Sequence, residues 1–184
     1  MKFTLSQDFH PVPYNNSYWV SPGLLLAGQY PRTPDPESSR EKLRSLLDTG
    51  VRTFVNLTFT GEGRTHGRLQ EYVTLLDSVA RVMNVEVYHY QFSIVDMGLP
   101  SPGLMDSILD TIDESLTKAL PVYVHCWGGY GRTGTAVGCW LIRHGLATGD
   151  TVLDTIAALR KNIENSLFDS PQTPEQKTFV QTWS

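Results

Sequence analysis

Residues 125–133 read His125-Cys126-Trp127-Gly128-Gly129-Tyr130-Gly131-Arg132-Thr133, and no other stretch constrains the fold of this chain as strongly. The apolar run Val122-Tyr123-Val124 ahead of it reads as a buried strand, and Thr133 to Ile142 behind it reads as a helix. The glycine-rich segment is therefore a strand-to-helix turn. Such a turn aims several backbone N–H groups at one point, with the positive end of the helix macrodipole behind them. A dianionic phosphate suits that environment.

Five residues, three of them glycine, separate Cys126 from Arg132. At the helix start, Arg132 offers two phosphate oxygens a planar fork that lysine does not reproduce. Trp127, Gly128, Gly129, Tyr130 and Gly131 complete the phosphate cradle with Arg132, and Cys126 lies beneath the bound phosphorus. The same N–H groups and dipole favour a thiolate, since cysteines at helix N-termini commonly have pKa values of about 3.5–7.5. Thr133 is expected to donate its hydroxyl to the sulfur, and His125 to orient the loop through its ring nitrogens. The bland alternative is a small buried cysteine beside an ordinary helix-start arginine. The spacing, the flanking His and Thr and the strand-to-helix context argue against it.

The sequence HCWGGYGRTG resembles the signature loop of the cysteine-dependent phosphatase superfamily that contains the protein tyrosine and dual-specificity phosphatases. The resemblance implies a two-step, metal-free hydrolysis: Cys126 attacks phosphorus, an aspartic acid protonates the leaving oxygen, and water cleaves the phosphocysteine. No cofactor is implied. Gly129-Tyr130-Gly131-Arg132-Thr133-Gly134 also spells a dinucleotide-binding G-x-G-x-x-G. That motif expects an acidic residue about 20 positions on, at the end of a second strand. Asp154 has the spacing but lies in a helical pattern. The nucleotide-binding loop G-x-x-x-x-G-K-[ST] fails because no lysine follows Gly131.

A thiol phosphatase needs a general acid, and such acids typically contribute about 10²–10⁴-fold. Asp96 is the first candidate: it follows the strand-like Val85–Phe92 and opens the turn-rich Asp96-Met97-Gly98-Leu99-Pro100-Ser101-Pro102-Gly103, which is able to close over a site. Its position before the cysteine resembles the family's acid-loop placement. The Trp-Pro-Asp triplet of receptor-type tyrosine phosphatases is absent, which favours the dual-specificity-like, atypical branch. Asp106 and Asp110 are weaker rivals inside the following helix. Near the C-terminus, Gln172-Thr173-Pro174-Glu175-Gln176 with Phe179 resembles the family's glutamine loop, which implies that Gln172 or Gln176 positions the hydrolytic water. Thr173 as N-cap, Pro174 at N1 and Gln176 closing a capping box would explain Gln176 without catalysis.

Alternating elements imply an α/β fold, a mostly parallel central sheet with helices on both faces and ligands at the carboxyl ends of the strands. The strands expected are Leu24–Ala27, Val51–Leu57, Val85–Phe92 and Val122–His125. The helices are Pro36–Leu47, stopped by Gly50, then Leu69–Val82, Pro102–Ala119, Arg132–His144, Asp150–Asn162 and Pro174–Trp183. With 184 residues, 40% of them hydrophobic, the chain is expected to form one domain over 1–184, with residues 1–20 as an N-terminal extension that packs on the domain or meets a partner.

The net charge of −4 argues against a broadly basic nucleic-acid surface. No secretory signal is expected, nor an apolar run approaching the roughly 18 residues of a membrane span. Two cysteines do not make a disulfide framework, and the chemistry needs Cys126 reduced, so the cytoplasm is expected. Cys139 reads as a packed helix residue. Arg64, His66 and Arg68 form a charged loop, solvated or reaching toward groups flanking the phosphate.

The loop between Cys126 and Arg132 carries no lysine, the extra charge with which the inositol-lipid branch typically meets its headgroups. The substrate expected is therefore phosphoprotein: phosphotyrosine, with phosphoserine and phosphothreonine also open, and Trp127 and Tyr130 stacking at the mouth. A phosphoinositide or other small phosphomonoester, a silent phosphate-binding module and a sulfur-transfer enzyme are the alternatives. The sequence leaves oligomeric state open.

Overall fold

A computed structural model of the chain describes residues 3–5, 11–59, 62 and 71–184. Five strands form one sheet: β1 (Ser17–Ser21), β2 (Leu25–Gly28), β3 (Thr53–Asn56), β4 (Tyr88–Gln91) and β5 (Val122–His125), in the order β1-β2-β5-β3-β4. Strand β1 runs antiparallel to β2, and the remaining pairings are parallel. The expected α/β fold with a mostly parallel sheet is thus the observed one.

Side chains on successive strand residues point to opposite faces, and the two faces carry two different cores. Leu26, Phe54 and Tyr123 face α1 (Pro36–Asp48) and α2 (Val73–Met83), where Leu43, Leu46, Leu47, Leu76 and Val79 meet them. Leu25, Ala27, Val55, Val122 and Val124 face α3 (Pro102–Thr117), α4 (Arg132–Arg143), α5 (Val152–Arg160) and α6 (Pro174–Gln181). Trp140 of α4 is fully buried at the centre of this second core. Each such apolar side chain contributes about 1.5–3 kcal/mol by leaving water.

Local chemistry sets the helix starts. Asp35, Ser101 and Thr173 each accept a hydrogen bond from a backbone N–H in the first turn of α1, α3 and α6, and a proline follows each cap. Strand and helix ends fall within one to three residues of the sequence expectation, apart from the start of α2. There the expected first residue, Leu69, lies outside the described residues, as do Arg64, His66 and Arg68.

Of the N-terminal stretch, expected as an extension that packs on the domain or meets a partner, the described residues pack on the domain, and its last part belongs to the sheet. Ser17–Ser21 is the edge strand β1, with Tyr18 and Val20 buried, and Phe3 packs edge-on against Trp140 at 4.8 Å. The strand signal is short, five residues between Asn16 and Pro22, and only pairing with β2 fixes it. Cys126 follows β5, between β2 and β3. Gly28, His125 and Asn56 align across these three strands at their carboxyl ends.

Candidate active site

Cys126 leaves the end of β5 and the chain turns through residues 127–131 into α4. Gly129 makes the turn possible. Its φ is +80°, and a Cβ there would lie 2.4 Å from the Gly28 carbonyl carbon and 2.5 Å from Gln29 N, backbone atoms that cannot yield. The Gly129 N–H donates to Cys126 Sγ at 3.3 Å. Helix α4 begins with no side-chain cap, so the positive end of its dipole faces the turn. Both features aim positive electrostatic potential at the sulfur. Cys126 is 3% exposed and lies at the base of a cleft of about 240 Å³. Asp96, Met97, Trp127, Gly128, Tyr130, Gly131, Arg132 and Gln172 line the same cleft.

Neighbours on all sides hold the turn in place. Asn165 Nδ2 donates to the Gly128 carbonyl at 2.9 Å and Ser170 Oγ to the Tyr130 carbonyl at 2.8 Å. The Tyr30 N–H donates to the Trp127 carbonyl at 2.9 Å. Buried Arg160 secures the segment that supplies Asn165 and Ser170, donating to the carbonyls of Phe168 and Asn165 at 2.8 and 3.0 Å. His125 is fully buried, its Nε2 2.7 Å from the Tyr72 hydroxyl and its Nδ1 3.4 Å from the Cys126 carbonyl. Burial drives its pKa down to about 3, against an opposing contribution from the backbone bond, so the ring is neutral at physiological pH.

Arg132 is where geometry and sequence reading diverge. Its Nη1 and Nη2 grip both oxygens of Glu62 at 2.6 and 2.9 Å, Nη1 also donates to the Ile94 carbonyl at 2.9 Å, and Nη2 lies 2.9 Å from Asp96 Oδ1. Burial works against the guanidinium charge, but Glu62, with Cys126 and Asp96 adding to it, holds the pKa above its ordinary value. The sequence reading passed over Glu62, because a lone glutamate in a glycine-containing loop carries no motif. Its partner is 70 positions away in the chain.

Asp96 lies at the cleft with its side chain 52% exposed. The rivals Asp106 and Asp110 instead pair with Arg143 at 2.9 and 2.6 Å, joining α3 to α4. Thr133 departs from expectation: its hydroxyl is buried and makes no hydrogen bond among the described residues, so the expected bond to the sulfur is not formed. The two glutamines separate cleanly. Gln172 lines the cleft, its Oε1 close enough to Gly131 to be 3.0 Å from a Cβ placed there. Gln176 is fully buried: it closes the capping box with Thr173, accepts from the Gln172 N–H at 3.0 Å and donates from Nε2 to the Gly98 carbonyl at 3.0 Å.

Away from the cleft, Asp154 sits on helix α5. Cys139 is buried within α4, where burial pushes its thiol up, and both cysteines are free. The described residues contain no group of three His, Cys, Asp or Glu side chains able to hold a metal ion, and no helix among them is long and apolar enough to cross a membrane.

The family model described as "Swiss Army Knife protein, DSP-PTPase phosphatase domain" matches residues 14–176. Protein tyrosine phosphatase domain-containing protein 1 of Mus musculus is 30% identical over 150 residues, 79% of this chain and 19% of that protein. The chain thus spans about a fifth of the length of that relative. The solved structure of Tk-PTP in its active form superposes with a TM-score of 0.65 at 20% identity, covering 91% of this chain and 95% of that one. The structure of PTPMT1 in complex with PI(5)P does so with a TM-score of 0.65 at 18% identity, covering 91% and 93%. A cysteine at the base of a glycine-built anion turn, within this fold and under this family match, makes the chain a member of the dual-specificity-like branch of the protein tyrosine phosphatase superfamily.

Proposed function

We propose that the chain hydrolyses phosphomonoesters in proteins, phosphotyrosine first and phosphoserine or phosphothreonine second, through a phosphocysteine intermediate. The observation that carries this reading is the convergence of Cys126, Asp96, Arg132 and Gln172 on one cleft. Phosphate oxygens take the N–H groups of the 127–131 turn and the guanidinium of Arg132. Glu62 fixes the guanidinium plane, and Asp96 yields its Nη2 contact to the incoming phosphate. That exchange leaves the Asp96 carboxyl free to face the ester oxygen.

In the first step the S–P bond forms, the P–O ester bond breaks, and the proton of Asp96 passes to the leaving oxygen. In the second, a water held by Gln172 attacks phosphorus, its proton goes to the Asp96 carboxylate, and the S–P bond breaks to release phosphate. Gln176 acts on this step through Gln172 and Gly98. His125 holds the Cys126 backbone, and the Thr133 hydroxyl, buried and without a hydrogen bond among the described residues, is the donor assigned to the departing sulfur. The proposed chemistry uses no metal or cofactor and requires a reduced Cys126, which favours a reducing compartment such as the cytoplasm.

The PI(5)P-bound structure of a similar fold favours a second reading, a phosphoinositide or other small phosphomonoester as substrate. Against it, Arg132 is the one cation among the described residues lining the cleft. The deciding measurement is hydrolysis of an aryl phosphate in chelator and reductant, wild type against Cys126→Ser. Activity that survives chelation and disappears in the variant supports the thiol mechanism. A folded wild-type protein without activity refutes it in favour of a phosphate-binding module or, if thiosulfate is turned over, a sulfurtransferase.

A further inference from the structure

We infer that the cleft is selective for phosphotyrosyl segments of polypeptide with large apolar residues next to the phosphotyrosine, held by a fixed apolar rim. The inference rests on the phosphatase reading of the same site and extends it to what surrounds the phosphate. Because Cys126 lies at the cleft base, any ester that reaches it must continue outward between the cleft walls. Met97 lines one part of that wall and is 56% exposed, between Val95 and Leu99, which are exposed as well. Tyr130 lines another, and Phe168 lies flat against it, ring centroids 5.2 Å apart and planes 15° from parallel. Phe168 is itself 57% exposed, and its neighbour Leu167 is 95% exposed.

Apolar side chains this open are ordinary when scattered; a group of them around a functional cleft marks a binding surface. The Leu167–Phe168 tip is also held rigidly. Arg160 donates to the Phe168 carbonyl, the Phe168 N–H donates to the Asn165 carbonyl at 3.2 Å, and Asn165 and Ser170 are bonded to the phosphate turn itself. The tip and the turn therefore form one unit, and a contact at Leu167 is registered to the phosphate. A rim that is pre-formed loses little conformational freedom on binding.

Charge selects the occupant. The chain carries −4 overall; in the cleft Asp96 pairs with Arg132 at 2.9 Å, and beside the tip Asp169 is tied to Lys177 at 2.7 Å. With Arg132 held by Glu62 and Asp96, and Lys177 by Asp169, this surface offers an anionic bilayer little attraction, whereas a polypeptide with apolar flanks needs none. Tyrosine suits the cleft because Cys126 is buried while Met97 and Phe168 are open to solvent, so the ester must reach inward from the flanking residues, and an aryl side chain reaches further than a seryl or threonyl one.

The test is kcat/KM on two phosphotyrosyl peptides of equal length, one with Leu and Phe beside the phosphotyrosine, the other with Asp and Gly, for wild type and Leu167→Asp. Wild type is expected to prefer the apolar peptide by about tenfold or more, the yield of one or two added apolar contacts. Leu167→Asp is expected to cut that preference at least about threefold. Leu167 is open to solvent, so a thermal melt serves as the folding control. Equal rates on the two peptides in wild type, or an unchanged preference in the variant, would overturn the inference. So would faster hydrolysis of a phosphoinositide in phosphatidylcholine vesicles than of either peptide, with loss of vesicle binding in Leu167→Asp. A wild type inactive on aryl phosphate and on both peptides would instead sink the phosphatase reading beneath it.

Discussion

Asp96 and Glu62 divide the guanidinium of Arg132 between them, and the two carboxylates have different freedom. Glu62 is buried and doubly bonded, whereas Asp96 is half exposed and holds one Nη2 contact. A phosphate entering the cleft can displace the second without disturbing the first. Asp96→Asn keeps the shape but has no proton to give. It should slow hydrolysis of poor leaving groups such as phenyl phosphate by about 10²–10⁴-fold, and of p-nitrophenyl phosphate much less. A Brønsted plot of rate against leaving-group pKa checks this, and equal slowing of both substrates would remove Asp96 from the role of acid. Asp96 and Cys126 were legible in the sequence because each sits in a local pattern of turn and strand. Glu62 and Tyr72 were not, because their significance lies in partners 70 and 53 positions away.

Where strand β5 gives way to helix α4, the turn depends on its neighbours as much as on its own glycines. Gly129→Ala would introduce a methyl at φ +80° and force it against the backbone at the end of β2. Circular dichroism melting should show a lowered Tm, and aryl phosphate hydrolysis should fall to background; a variant with wild-type kinetics would show that the turn relaxes freely. The helices of this fold were readable from capping residues, as with Asp35, Ser101 and Thr173, where a side chain and a proline announce the first turn. Strand β1 was harder, since five residues alternate too briefly to declare a sheet edge before the pairing with β2 is known. The glutamines illustrate the same boundary. Spacing placed both in one motif, and only the packing of α6 shows that Gln172 faces the cleft while Gln176 is consumed by the cap and Gly98.

Across the whole molecule, stability and pH are linked through histidines enclosed in the sheet. An unfolded histidine takes up its proton near pH 6.5, but burial lowers His125 to about 3 and shifts His89 in the same direction. Between these values the unfolded chain binds more protons than the folded one, so stability rises with pH. The contribution from His125 is complete above the unfolded value and is lost as pH falls toward the folded one. Thermal unfolding should therefore show Tm declining from pH 6.5 to about 4, with a shallower decline in His125→Gln. Parallel slopes for the two proteins would mean that other groups govern the acid limb.

The hydrogen bond from Gln176 to the Gly98 carbonyl joins the segment bearing Asp96 to the segment bearing Gln172, two parts of the chain with separate duties. In the proposed mechanism a phosphoryl group resting on sulfur is open to any hydroxyl that arrives in the right place, and this joint is expected to decide which one does. Released from it, as in Gln176→Leu, the acid loop would still protonate, but the space behind it would admit bulkier nucleophiles. In buffer containing glycerol the products should then shift from inorganic phosphate toward glycerol phosphate, a ratio that phosphorus NMR reads directly. An unchanged ratio would mean that Gln172 alone chooses the acceptor. On the proposed chemistry, a single buried amide would then separate a hydrolase from a transferase.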